Sequence, residues 1–495
     1  MERVSQQDKA AYRSIVSACR KKREGVTVAG LTAKTTLPLV KVRELLPAVA
    51  DEYSARLRVT ESGEILYSFP GSFKSRYRGI GAAAGRFFEK AAHIIKAAAT
   101  NLFKVWILTM LVGYFVLFVV IALAAVVVSF AAQSSSRDGR DSRSRDGGGN
   151  FFVVTHLIDL LIRIWFYSEL TKSFNGSSYQ SRPPRKPLYK AVFSFVFGDG
   201  DLNAGIDERE KRAVLAYVQS TGGVIALPEY MILTGKSPAE AEDAITAFCA
   251  AYGGSPEATD DGTVVYRFDA LMLNGEHTAL QEPYTGPLRR LNSFSNNEKK
   301  FNWWFSVLNG VNLLFGGYFI YNALSIGVIT DIAAAAREAY LYAFVYNFVD
   351  AGLGAAAQNT IFWVLGMVPL SFSLLFWLIP FLRNQHLHHA NERVKQTNFR
   401  QYVYDTIWKR PRTLRCADLK PAGVESRPCA FNAACTKLIN EFSAYSPVDV
   451  TADDAGDFTY TFAELERERG ALNAYRARTR VDAKQLGAIV YDSEA

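Results

Sequence analysis

Residues 38–69 read PLVKVRELLPAVADEYSARLRVTESGEILYSF: a helix, a break and a two-strand ribbon. Pro38 suits the first turn of the helix, where a missing amide hydrogen costs nothing. Glu61-Ser62-Gly63 supplies a residue that tolerates positive φ between alternating apolar strands. The same plan returns twice. In the second copy, 238–268, the helix ends at Tyr252, Asp260-Asp261-Gly262 marks the turn, and Tyr266 and Phe268 close the ribbon. A third copy ends its helix at Tyr445, turns at Gly456 and closes with Tyr460 and Phe462, as Gly63, Tyr67 and Phe69 do in the first. Glycine precedes the ribbon tyrosine by four residues in every copy, and the helix-end tyrosine precedes the glycine by ten, ten and eleven. Self-similarity of this kind sets the domain count before any other feature.

A chain of 495 residues suggests two to four domains, and its apolar residues, 49% of the total, are clumped. Three runs hold no charged residue: 105–136, 301–330 and 351–382. Each is long enough for a hydrocarbon core, which roughly 20 helical residues cross. The first begins a hundred residues in, behind a polar folded segment, and so does not read as a cleaved signal peptide. Cysteines 19, 249, 416, 429 and 435 form no staple pattern and fit reduced, cytoplasm-facing domains. The net charge of +8 belongs with the excess of Lys and Arg that membrane proteins carry on the cytoplasmic side.

Ahead of Pro38, Ala11, Ile15, Val16 and Cys19 recur at helical spacing, and a short helix is expected over 27–34. Three helices followed by a ribbon is the winged-helix order. In the second copy Ser237-Pro238-Ala239-Glu240 is a well-built helix start. After the first ribbon the chain turns basic, with Lys74, Arg76, Arg78, Arg86, Lys90, Lys96 and Lys104 opposed only by Glu89 and interleaved with Phe87, Phe88, Ile94, Ile95, Leu102 and Phe103. That pattern suits a helix lying on anionic membrane lipid, and equally a plain basic flank that orients the span. A Ser/Arg/Asp/Gly linker follows the first run. Next comes FFVVTHLIDLLIRIWFY at 151–167, apolar but carrying His156, Asp159 and Arg163. A charge at a helix centre costs about 3 kcal/mol on insertion scales, and Asp159 and Arg163, four apart, can pair. The segment reads as a short span or an interfacial helix. A hairpin is the preferred reading because Lys172, Arg182, Arg185, Lys186 and Lys190 look cytoplasmic, although the arginines of the linker count against it. Lys299 and Lys300 on one side, and Arg383, Arg393, Lys395 and Arg400 on the other, bring the second hairpin back to the same face.

AVFSFVFGDGDLN at 191–203, GGVIALPEY at 222–230 and GEILYSFPGSFKSRYRG at 63–79 resemble a family of uncharacterised multi-pass membrane proteins with cyanobacterial and plastid members. The resemblance covers most of residues 1–320 and is weaker beyond, the third copy departing most. It implies the same architecture and brings no active site.

A winged helix suggests DNA, with its third helix in the major groove. The charges oppose that: 38–53 carries two basic residues against three acidic, 237–252 none against three, and 431–445 one of each. Phosphate neutralisation needs Lys and Arg, so nucleic acid is disfavoured and protein contact favoured. His386, His388 and His389 with Cys416, Cys429 and Cys435 lack metal-site spacing and read as interfacial histidines and buried thiols. Asn302, Asn309, Asn312, Asn322, Gln358 and Asn359 are the main polar side chains of the strong spans and suit interhelical glue. Phe197-Gly198-Asp199-Gly200-Asp201 reads as a tight turn before a helix, since a complete calcium loop is missing. There is no P-loop, dinucleotide fingerprint, G-x-S-x-G or H-E-x-x-H. No enzyme activity and no cofactor are expected.

The expectation is an α+β membrane protein with three winged-helix-like cytoplasmic modules on two transmembrane helical hairpins. The modules occupy 1–75, 191–273 and 396–465. A basic amphipathic juxtamembrane helix covers 76–103; transmembrane helices cover 104–133, 301–330 and 351–382; 151–168 is a short transmembrane or interfacial helix. A disordered linker fills 134–150, an external loop 331–350 and a charged tail 466–495. The chain would sit in a bacterial cytoplasmic (inner) membrane with both termini cytoplasmic, as a scaffold for a protein partner or for a homo-oligomer. A membrane-tethered nucleic-acid binder and a small transporter or channel using Asp159 and Arg163 are the alternatives.

Overall fold

The computed structural model describes residues 6–76, 80–135, 186–273, 286–325, 339–419, 428–452, 458–479 and 488–493. These make a helix-rich α+β protein. Helices α1 (Gln6–Lys21), α2 (Val28–Thr35) and α3 (Leu39–Glu52) precede strands β1 (Arg56–Thr60) and β2 (Ile65–Ser68). Then come α4 (Ile80–Ser135), α5 (Leu188–Phe197), α6 (Ile206–Ser220), β3 (Val224–Ala226), α7 (Leu227–Thr234), α8 (Pro238–Tyr252), β4 (Ser255–Ala258) and β5 (Val264–Arg267). Helices α9 (Lys299–Ser325) and α10 (Tyr340–Leu353) lead through a π-helical stretch, Ile361–Met367, into α11 (Val368–Lys409). Strand β6 (Leu414–Arg415), α12 (Pro428–Phe442), β7 (Asp449–Ala452), β8 (Phe458–Thr461), α13 (Ala463–Thr479) and β9 (Ile489–Asp492) complete the order.

The chain divides into two compact units: residues 1–86, 201–291 and 390–495 form one, and 87–200 with 292–389 the other. The first holds three small antiparallel sheets, ordered β2-β1-β9, β3-β5-β4 and β6-β8-β7. Local chemistry starts each part. The Thr27 hydroxyl accepts the Gly30 amide hydrogen at 3.0 Å and caps α2. The Glu240 carboxylate accepts from the Ser237 amide at 3.1 Å ahead of α8, the capping-box half that shields an orphan donor. Gly63 and Gly262 sit at φ +79° and +80° in the turns, where a side chain would be strained. Tyr67 and Tyr460 are buried, Tyr266 half-buried, and Phe69, Phe268 and Phe462 are core residues. Each phenylalanine lies just past its strand, and its amide reaches back to the segment before the second helix of its part: Phe69 N–H to Arg23 O (2.6 Å), Phe268 N–H to Gly223 O (2.8 Å) and Phe462 N–H to Pro411 O (2.8 Å). The turn expected at Gly456 lies outside the described residues.

In the second unit Phe118 stacks on Phe315 and Phe319, with centroids 5.0 and 5.9 Å apart. Gly316 meets the π-helical stretch at backbone distance: a Cβ there would lie 3.0 Å from Leu370 N and 3.2 Å from Gly366 O. Asn309 Nδ2 donates to Ser373 O (3.0 Å) and Asn312 Nδ2 to Leu111 O (2.8 Å), tying α9 to α11 and α4. Gln358 likewise bonds Ala323 O (2.8 Å). These three act across helices, as glue. Asn322 instead bonds Tyr318 O on its own helix, Asn302 bonds Ser295 before the helix, and Asn359 is exposed.

Several expectations are corrected. Two stretches, Ile94–Ser129 and Tyr340–Lys409, are long and apolar enough to cross a membrane by length and composition. The described part of the middle apolar run, α9, is a 27-residue helix but not one of them, because its asparagines lower its apolarity. From Ile80 to Ser135 the basic stretch and the first run are one unbroken helix, α4, which Lys74 and Arg76 precede. Residues 340–350 of the expected external loop are helical, since YLYAFVYNFV is apolar. The helix expected to end at Tyr445 ends at Phe442, where the Tyr445 amide closes a turn on Phe442 O at 2.9 Å. Residues 191–200, expected to open the second module, belong to the helical unit. The linker 136–150 and the segment 151–168, with Asp159 and Arg163, lie outside the described residues.

Candidate functional site

The second and third parts of the first unit share one core that takes in Leu39, while the first part keeps a core of its own around Ile15, Val42, Leu46, Val49, Tyr67 and Phe69. Leu39 of α3, Ile225, Phe248 and Phe268 of the second part, and Tyr404, Phe442 and Phe462 of the third lie in a single buried cluster. At one junction the Tyr252 hydroxyl donates to Thr36 O at 2.7 Å, in buried surroundings. This joins the end of α8 to the turn that starts α3. At the other, Gly235 (φ +68°) lies so close to α11 that a Cβ would be 2.7 Å from Thr397 Cγ2. Gln401 Nε2 donates to Leu233 O (3.0 Å) and Arg400 Nη1 to Gly235 O (3.1 Å).

The described residues of the segment expected to be a charged tail, in α13 and β9, bond to all three parts as a strap. On α13, Arg476 donates to both oxygens of Glu229 (2.9 and 2.6 Å) and to Val224 O (2.8 Å). Glu229 is 4% exposed and also accepts from the Tyr217 hydroxyl (2.6 Å) and the Ala226 amide (3.1 Å). Burial beside that carboxylate drives the Tyr217 phenol well above its ordinary range. Tyr475 bonds Glu257, and Arg478 bonds Asp260 at 2.7 Å. Toward the third part, Arg412 bonds Glu466 (2.7 Å), Arg469 bonds Trp408 O (2.8 Å), and the Tyr445 hydroxyl donates to Glu468. Burial pushes Glu468 up to about 7, against the Tyr445 hydrogen bond, with Glu229 and Glu464 adding repulsion. Strand β9 then joins the first part: Arg56 and Asp492 pair bidentately at 2.6 Å, and the Ser493 amide donates to Leu57 O at 3.0 Å. No local signal marks this strap in the sequence, since its partners are up to 436 positions away.

Of the residues expected at a membrane surface, Lys74, Arg76 and Lys96 are exposed, Arg76 lying 3.9 Å from Asp51. Lys104 sits 4.7 Å over the Phe193 ring. Arg78 lies outside the described residues, as do the side chains of Arg86 and Lys90. Asp199 of the FGDGD run accepts from Lys186 (2.6 Å), the Ser194 hydroxyl (2.6 Å) and the Asn296 amide (2.7 Å). Burial, the largest single effect, pushes its carboxyl up, but these hydrogen bonds and the Lys186 charge together hold it below the usual range. The run therefore pins the end of α5 to the chain ahead of α9. Arg383 completes that joint by donating to Phe195 O (3.0 Å) and Phe294 O (2.7 Å). Among the described residues no three His, Cys, Asp or Glu are grouped to hold a metal ion. Cys19, Cys249 and Cys435 are buried, and burial pushes their thiols up to about 12, 11 and 12.

Fold and junctions define a helix-rich α+β protein with two helices fit to cross a membrane and a strapped, three-sheet unit. No family model and no solved structure matches the chain. The chain is similar to an uncharacterised chloroplastic protein of Arabidopsis thaliana, 28% identical over 273 residues that cover 53% of this chain and 49% of that protein. The chain thus spans about half the length of that relative, a likeness consistent with a family that has plastid members.

Proposed function

We propose that the protein is a membrane-anchored interaction scaffold whose three winged-helix modules are assembled on one another and offered to a protein partner at the cytoplasmic face of a bacterial inner membrane. One observation carries this reading: the third helices of the first two parts are turned toward each other, with Leu39 in the shared core and Tyr252 bonded to Thr36 O. In a DNA reader that helix enters the major groove. Here it is spent on module contact, and its acidic balance disfavours phosphate. The element order supports the winged-helix assignment. Helix, short strand, two helices and a ribbon run through 206–267, with β3 pairing to β5, and β6 pairs to β8 in the third part. In the first part a bridge from Val26 to Tyr67 stands in for that strand. The multi-pass topology, with both termini inside, completes the reading.

The test is thiol labelling with a reagent that cannot cross the bilayer, on single cysteines introduced at Arg140, Asp260 and Asp350 in intact cells. Cysteines at 140 and 350 should label from outside and the one at 260 only after lysis. Labelling of position 260 in intact cells would end the scaffold reading.

A further inference from the structure

A cavity of about 490 Å³ opens where the second ribbon, the loop after α12 and the strap helix α13 meet. Its walls belong to one compact unit, so the inference does not depend on membrane topology. Four carboxylates line it, Glu242, Asp261, Glu464 and Glu468, against one cation, Arg467. Arg467 lies 3.9 Å from Glu464, so those two offset each other. Glu242, Asp261 and Glu468 have no cationic side chain in ion-pair reach among the described residues. A second observation is independent of charge. Ser446, on the same wall, is 3% exposed, yet its hydroxyl has no hydrogen-bond partner. A buried polar atom left so is destabilising unless something occupies it. Tyr266 and Tyr445 also line it, and aromatic rings attract cations.

The carboxylates are not grouped tightly enough to chelate one metal ion. Separated carboxylates, a free hydroxyl and aromatic rings match several N–H donors spaced along a flexible chain. We infer that this cavity binds an organic polycation of the polyamine class, its ammonium groups held by Glu242, Asp261 and Glu468 and hydrogen-bonded by Ser446.

The test is calorimetric titration of spermidine into the full chain, held in zwitterionic detergent so that no anionic lipid competes. Saturable one-to-one binding is expected, weakened about tenfold in E242Q/D261N, two exposed positions whose exchange leaves the fold intact. At pH 7 binding should also release part of a proton, read from two buffers of different ionisation enthalpy, because an ammonium beside Glu468 favours its charged form. That release should vanish in E468Q. Magnesium at matched ionic strength should not displace spermidine. The assignment is overturned by absence of saturable binding, by unchanged affinity in E242Q/D261N, by proton release that persists in E468Q, or by full displacement with magnesium.

Discussion

Single residues decide how firmly the three-sheet unit holds. Glu229 is buried and fully used, by Arg476, Tyr217 and the Ala226 amide. Removing the guanidinium would leave a buried charge without a counter-ion, which costs about 3–5 kcal/mol. R476A should therefore lower denaturant stability of the detergent-held chain by that amount, whereas R478A, breaking an exposed pair with Asp260, should leave the midpoint unchanged. Glu468 makes a pH prediction. Its ordinary value is 4.5 and its folded value about 7, so between those pH values the folded chain binds more protons than the unfolded one. Its contribution is complete below the ordinary value and is lost as pH rises through 7. The Tm of the wild type should fall relative to E468Q from pH 5 to 8, with Glu229, Glu464, Glu242, Asp261 and Arg467 as the surrounding charges; a constant gap would contradict this. The burial of Tyr67 with Phe69, and of Tyr460 with Phe462, follows the two-residue step that extended backbone keeps across the strand end.

Elements were legible where local interactions make them. Capped helices and glycine turns depend on neighbours three to five positions away, and α2, α8 and the first two ribbon turns formed where their residues call for them. The helix end at Phe442 and helix α10 are not legible in the sequence, because a tyrosine spacing and a poverty of basic residues say little about backbone hydrogen bonding. Strand β9 was invisible for another reason: four residues gain stability only from an edge that already exists. Truncation before Ala488 removes the partners of the Leu57 and Glu61 amides. Hydrogen exchange at those two amides should then accelerate at least tenfold while β4 and β5 keep their protection. Equal rates in both proteins would mean that β9 adds nothing to the first sheet.

At the scale of the molecule, hydropathy and spacing by themselves determined where two long apolar helices run and where the first two ribbons turn, since each follows from composition within a short window. Only the tertiary structure decided that the second and third sheets share a core that reaches Leu39, that α13 and β9 act as a strap, and that FGDGD is a joint. The physical reason is that pairing between distant groups leaves no mark on either partner. Many arginines could have met Glu229, and packing alone selected Arg476, 247 positions away.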